Sequence, residues 1–158
     1  MELTEKELEK FIAITCRCFQ KLAPEFSAIV PEEPTIQVND SVFLDFTGVI
    51  DLHQKGKHGK IYLTMPEGMI NDVLQAIGED KRDQEIQRDL IGELASTVCS
   101  NAREHFGSTL AISLPTSLNR FESLKLSLAP MRFVLPLKLK KYTSYLVIAL
   151  GNSDKKKS

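Results

Sequence analysis

Tryptophan is absent, and cysteine, histidine and tyrosine occur three times each. Three cysteines, Cys16, Cys18 and Cys99, are an odd number without the spacing of a disulfide framework. Cys16 and Cys18 stand two apart within a helical pattern and so point in different directions. His53, His58 and His105 add no ligand spacing to them, which argues against a metal site. The thiols are expected to be free and buried or half-buried. An excess of positive charge is also missing. Twenty Lys and Arg against twenty-one Asp and Glu leave a net charge of -1, so no global field recommends nucleic acid as a partner. No apolar run approaches a membrane span, and the acidic opening MELTEKELEK does not read as a signal peptide. A soluble, cytoplasmic protein is expected. No Ser/His/Asp grouping, phosphate-cradling glycine loop, nucleotide fingerprint or internal repeat is present.

What is present suits one domain. The chain has 158 residues, of which 42% are hydrophobic and 26% charged, enough for a substantial core. The expected organisation is a single domain over residues 1–151 and a flexible basic tail over 152–158. Thr4 and Glu7 suggest a capping box for a first helix. Leu8, Phe11, Ile12, Cys16 and Phe19 repeat at helical spacing until Pro24. AIVPEEP reads as a connector. In TIQVNDSVFLDFTGVIDL, Val42, Leu44 and Phe46 alternate as in a strand. HQKGKHGK reads as the loop to an antiparallel partner, IYLTMP. Pro66 and Glu67 open a second helix with Met69, Ile70, Val73, Leu74 and Ile77 on one face, ended by Gly78. A third and longest helix is expected over about residues 83–106, closed by Gly107. STLAISLP, SLKLSLA, RFVLPLKLK and SYLVIALG then read as strands, with Pro136 at an edge or irregular position. Strands in adjacent pairs, with helices early and central, predict an α+β fold: an antiparallel sheet with packed helices.

The third helix holds the candidate site. At about 100° per residue, Ile86, Leu90, Ile91, Leu94, Val98, Ala102 and Phe106 form an apolar face. Asp89, Glu93, Ser96, Ser100 and Arg103 cluster opposite. Glu93 and Ser96 are one short turn apart and can engage one partner surface. Asn101 and His105 fall in the apolar arc, where burial with satisfied hydrogen bonds is expected. Small polar groups let another protein approach the stripe closely.

The string GELASTVCSNA resembles the signature helix of the CheC/CheX/FliY chemotaxis phosphatases, whose Glu-x-x-Asn motif sits in strings like GELANM…GNA. FTGVIDL…GKIYLTMPE, NDVLQAIG and ISLPTSL follow in the family's order. The first helix, LEKFIAITCRCFQKLA, has no second signature, so the chain resembles CheX more than CheC. The resemblance implies a CheC/CheX-like fold, a homodimer, and a CheY-like response regulator as partner. It implies hydrolysis of the regulator's aspartyl phosphate, with no cofactor of the chain's own and the metal ion held by the regulator. In the family the Glu pairs with a regulator lysine and the Asn orients the attacking water. Glu93 matches the Glu. Ser96 stands where the Asn would be, and Ser100 replaces the Gly of GNA.

That departure matters physically. A serine hydroxyl donates and accepts as an amide does, but it sits one bond nearer the backbone. Water about 1 Å out of place costs on the order of a hundredfold in rate. Slow hydrolysis is therefore expected, with Glu93 and Ser96 catalytic, and Asp89, Glu93, Ser96 and Ser100 forming the docking face. Thr97, at the edge of that face, substitutes for Ser96 only if the helix rotates on its partner. Two other readings stay open: a non-catalytic binding module for a regulator or flagellar-switch component, and a module with a partner outside chemotaxis.

Overall fold

The computed structural model describes residues 5–22, 30–31, 35–37, 42–126 and 132–152. In chain order they form α1 (Glu5–Leu22), β1 (Val30–Pro31), β2 (Thr35–Gln37), β3 (Phe46–Gln54), β4 (Lys57–Met65), α2 (Glu67–Ala76), α3 (Gln84–Phe106), β5 (Ala111–Ile112), β6 (Thr116–Leu118), α4 (Arg120–Leu124), β7 (Arg132–Leu139) and β8 (Tyr142–Asn152). The eight strands make one antiparallel sheet, ordered β1-β7-β8-β4-β3-β5, with β2 also on β7 and β6 also on β3. The expected α+β architecture is what the chain adopts.

Alternation along the strands divides the core in two. Phe46, Ile50 and Leu52 of β3, Ile61, Leu63 and Met65 of β4, and Leu135, Leu137, Leu146 and Ile148 of the β7–β8 hairpin face one way. They pack under α1, α2 and α3. Val49, Tyr62, Val134, Val147 and Ala149 face the other way, in a smaller cluster with Phe43. The side chain of Gly48 is missing for a reason. A Cβ there would stand 2.7 Å from the Ile91 carbonyl oxygen and 3.0 Å from the Ala95 Cβ, so its absence lets α3 lie close on β3.

Several expectations need correction. HQKGKHGK is mostly strand: His53 pairs with His58 and Gln54 with Lys57, leaving Lys55 and Gly56, both at positive φ, as the turn. The alternation at Val42, Leu44 and Phe46 does not make strand before Phe46. Phe43 is buried in the smaller cluster, and the Leu44 amide donates to Thr64 Oγ1 at 2.7 Å instead of to a strand. STLAISLP yields only the two residues of β5. SLKLSLA is not a strand where described, because Ser123 and Leu124 belong to α4. Asn119 and Glu122 close a complete capping box there, and that local hydrogen bonding outweighs the alternating pattern. Ile77 lies past the end of α2 and is 45% exposed. In α1 the buried positions are Phe11, Ile14, Thr15, Cys18 and Phe19, with Ile12 and Cys16 half-buried.

Pro136 pairs with Tyr145 of β8. On its other side β1 takes Leu137 and Lys138 while β2 takes Arg132 to Val134, so both outer registers bypass the residue that has no amide hydrogen. The capping box at Thr4, the stop at Pro24, the Leu8 side chain, the connector around Val30–Pro31, Ser127 to Ala129 and the tail beyond Asn152 lie outside the described residues. No helix among the described residues is long and apolar enough to cross a membrane.

Candidate functional site

α3 begins where Asp83 accepts a hydrogen bond from the Ile86 amide at 2.9 Å, and ends at Gly107, at φ 98°. Its apolar positions seat as their spacing demands. Leu90, Ile91, Leu94, Val98 and Ala102 are buried, while Ile86 and Phe106 are half-buried. Asp89, Glu93, Ser100 and Arg103 are exposed on the opposite side. Ser96 departs from the expected full exposure and is half-buried.

The cause lies one turn earlier. Gly92 is buried, and a Cβ on it would stand 2.6 Å from Ser117 Oγ and 3.5 Å from Pro115 Cβ. The segment entering β6 therefore leans on the helix at Gly92. At about 100° per residue, Ser96 lies about 40° from Gly92 round the axis, nearer that wall than Glu93 or Ser100. By this phase Ser96 is the position of the stripe set nearest that segment and Glu93 is turned farther from it, in line with their half-buried and exposed states. Thr97 Oγ1 donates to the Glu93 carbonyl at 2.8 Å, which ties this hydroxyl to its own helix.

The wall continues past Pro115. Arg88 of α3 engages Glu122 of α4. Ser123 anchors α4 from below by donating to Thr47 Oγ1 at 2.9 Å, and Thr47 Oγ1 in turn lies 2.9 Å from Thr64 Oγ1. Composition and periodicity gave no sign of Arg88, Ser117 or Pro115 as neighbours of the site. The ISLPTSL string was the one available signal.

On the opposite flank, α1 and α3 border a groove of about 250 Å³ lined by Lys10, Arg17, Asn101, Glu104 and His105, among others. His105 is exposed, contrary to expectation, with its ring edge-on to Phe106 at 5.4 Å. Phe106 takes the inward position instead, stacking on Phe11 at 5.2 Å. Asn101 is half-buried and its amide donates to Cys18 Sγ at 2.9 Å. Cys18 and Cys99 are buried free thiols and Cys16 is half-buried. Burial pushes Cys99 up to about 12, with Cys18 adding to the shift. Among the described residues, no three His, Cys, Asp or Glu side chains converge as a metal-holding group.

The arrangement offers the carboxylates of Asp89 and Glu93 and the hydroxyls of Ser96 and Ser100 on one side of α3, open to a macromolecule. The fold is that of several solved structures. A CheC-like superfamily protein from Shewanella sp. PV-4 superposes with a TM-score of 0.78 at 17% identity, over 94% of this chain and 99% of that one. CheX from Vibrio vulnificus gives 0.76 at 16% identity, over 92% and 99%. The CheX of the Borrelia burgdorferi CheX-CheY-BeF3-Mg2+ complex gives 0.73 at 13% identity, over 94% and 99%. No curated protein sequence matches the chain. Residues 46–135, more than half of the chain and including the whole Glu93–Ser96 stretch, match the family Chemotaxis phosphatase CheX, and the chain belongs to that family.

Proposed function

We propose that this protein docks through α3 on a phosphorylated CheY-like response regulator and promotes hydrolysis of its aspartyl phosphate. The observation that carries the reading is the placement of Glu93 and Ser96. They lie one short turn apart on the open side of α3, exposed and half-buried respectively, where the family carries Glu-x-x-Asn. A CheX of the same fold from Borrelia burgdorferi forms a complex with CheY, BeF3 and Mg2+, which supports the choice of partner. Glu93 pairs with a lysine of the regulator, while Asp89 and Ser100 widen the contact. The Ser96 hydroxyl holds a water in line with phosphorus; the water oxygen bonds to phosphorus as the P–O bond to the aspartate breaks, and the water gives up a proton to solvent, leaving inorganic phosphate and the free carboxylate. The regulator supplies the metal ion, so the chain needs no cofactor of its own. The protein works in the cytoplasm as a homodimer, in keeping with the family resemblance.

Catalysis of this kind rests on orientation, because an acyl phosphate is already reactive. The shorter reach of serine makes turnover slow. The test is the rate of phosphate loss from the regulator with wild type, Ser96→Asn, Ser96→Ala and Glu93→Lys. Ser96→Asn should raise the rate with little change in affinity, since the added interaction acts on water in the transition state. Ser96→Ala should lower it, and Glu93→Lys should weaken association. A fast wild type untouched by Ser96→Ala would assign the water to another group. If every Ser96 variant binds and none hydrolyses, the second reading holds: a binding-only module, which the loss of the family asparagine at Ser96 favours.

A further inference from the structure

His53 and His58 lie within HQKGKHGK, which reads as a loop and gives no reason to join them. In the fold they stand opposite each other on β3 and β4. The hairpin turns on two residues, Lys55 and Gly56, at φ 51° and 79°. Gln54 and Lys57 flank that turn, and in a two-residue hairpin the flanking residues are a hydrogen-bonded pair. The two kinds of pair alternate along an antiparallel ladder. His53 and His58 are therefore a non-hydrogen-bonded pair, the closer kind, with Cα atoms about 4.5 Å apart. Asp51, two residues earlier, shows the same phase. Its amide and carbonyl turn away from β4, to Ser113 Oγ at 2.9 Å and the Ser113 amide at 3.0 Å.

Both imidazoles therefore leave the sheet on one face, from Cβ atoms about 4.5–5.5 Å apart. The next pair on that face, Asp51 and Lys60, meets side chain to side chain at 3.3 Å. Small residues flank the histidines. Beyond His53 the neighbour on β5 is Ala111, and beyond His58 the neighbour on β8 is Gly151. His53 is exposed and His58 half-buried. Among the described residues neither makes a hydrogen bond or an ion pair, so their ring nitrogens are available to a ligand.

We propose that His53 and His58 together bind one first-row transition-metal dication, each through an imidazole nitrogen, with water in the remaining positions. Nitrogens about 2.0–2.1 Å from a shared ion are within reach of two rings that rise from opposite places on the ladder. Imidazole suits Cu2+, Ni2+ and Zn2+ and binds Cu2+ most tightly, whereas Mg2+ and Ca2+ prefer oxygen. Two protein ligands fall short of the three or four of a resident zinc site, so the ion exchanges with its supply. It takes no part in the chemistry at Glu93 and Ser96. It ties the two arms of the hairpin at the tip, where Gln54 also holds the end of α3. That amide donates to the Phe106 carbonyl at 3.3 Å and to Thr109 Oγ1 at 2.8 Å.

The probe is Cu2+, titrated into the full-length, tag-free chain at neutral pH and followed by electron paramagnetic resonance. Wild type should take up one ion whose spectrum shows nitrogen ligands. His53→Ala and His58→Ala should each weaken uptake about tenfold or more, because a lone imidazole lacks the second attachment. Both should keep the circular dichroism of wild type. His105→Ala and Cys16→Ser, which remove the remaining imidazole and the half-buried thiol, should leave uptake unchanged. Zn2+ should raise the unfolding midpoint of wild type and of neither strand variant. Uptake that survives both strand substitutions, or that is lost with His105→Ala or Cys16→Ser, would place the ion elsewhere and overturn the proposal. A wild type that takes up no Cu2+, or midpoints that Zn2+ shifts equally in all three proteins, would overturn it as well.

Discussion

Replacing Gly92 with alanine tests whether the wall beside Ser96 is pinned against α3. Two effects oppose each other. Alanine is better than glycine in a helix interior by about 0.8–1.0 kcal/mol. The new Cβ would stand 2.6 Å from Ser117 Oγ, closer than van der Waals contact allows. Relieving such a contact costs about 1–3 kcal/mol in a packed site. Gly92→Ala alone should therefore destabilise by about 1 kcal/mol. Ser117→Ala removes the offending oxygen, and the remaining neighbours, Pro115 Cβ and Cγ at 3.5 and 3.6 Å, are ordinary contacts. In that background Gly92→Ala should stabilise by up to about 1 kcal/mol. The coupling between the two sites is then about 2 kcal/mol, well above the scatter expected of independent positions. Urea unfolding of the four proteins, followed by circular dichroism and compared at equal m-value, measures it. Should Gly92→Ala stabilise equally with and without Ser117, the hydroxyl swings aside freely, and the half-burial of Ser96 needs another cause.

Thr47→Val should cost about 1–3 kcal/mol of unfolding free energy, because Ser123 and Thr64 lose a buried partner. Adding Ser123→Ala should recover part of the loss, and a neutral Thr47→Val would show that no hydroxyl chain anchors α4. The buried Cys99 thiol, pushed up to about 12, should make folding weaken as pH rises. A group whose folded pKa is raised contributes stability that is whole below its unfolded value, near 9, and is lost as pH climbs from there toward about 12. The slope is on the order of 1 kcal/mol per pH unit. Cys99→Ala should flatten the unfolding free energy over that window relative to wild type, and identical slopes would contradict the burial argument.

The sequence discloses elements whose signals are periodic or local. α3 was legible from Ile86 to Phe106 because its apolar positions repeat at helical spacing and Gly107 marks its end. β7 was legible because Phe133, Leu135, Leu137 and Leu139 alternate, while β3 and β4 were placed although the alternation read at Val42 and Leu44 lies before the strand begins. What escaped depended on neighbours distant in the chain. α4 hid behind the alternation of SLKLSLA, since a five-residue helix shows no period and announces itself only through Asn119 and Glu122. His105 sits by its phase in the apolar arc, yet Phe106 fills the space against Phe11 and leaves the imidazole outside. Ser96 is polar and in phase with the exposed stripe, yet half-buried, and residues about twenty positions later, Pro115 and Ser117, pack on the helix one turn before it, at Gly92. No local pattern carries that information. Leu114 and Phe121 run against the rule by which apolar residues are read as core, since both are exposed.

Serine at position 96 differs from the family asparagine in reach. An asparagine there would carry its amide one bond farther from the backbone than the serine hydroxyl. A partner receiving an amide would meet a protruding group, whereas one meeting Ser96 must bring its own reactive centre down to the helix. Close approach is possible because the stripe around Ser96 is low: Ser100 is small, and Thr97 bends its hydroxyl back onto the Glu93 carbonyl. Under the proposed function, Ser96→Asn should change the rate of phosphate loss and Glu93→Lys the affinity for the regulator, two quantities that the dephosphorylation and titration assays read apart.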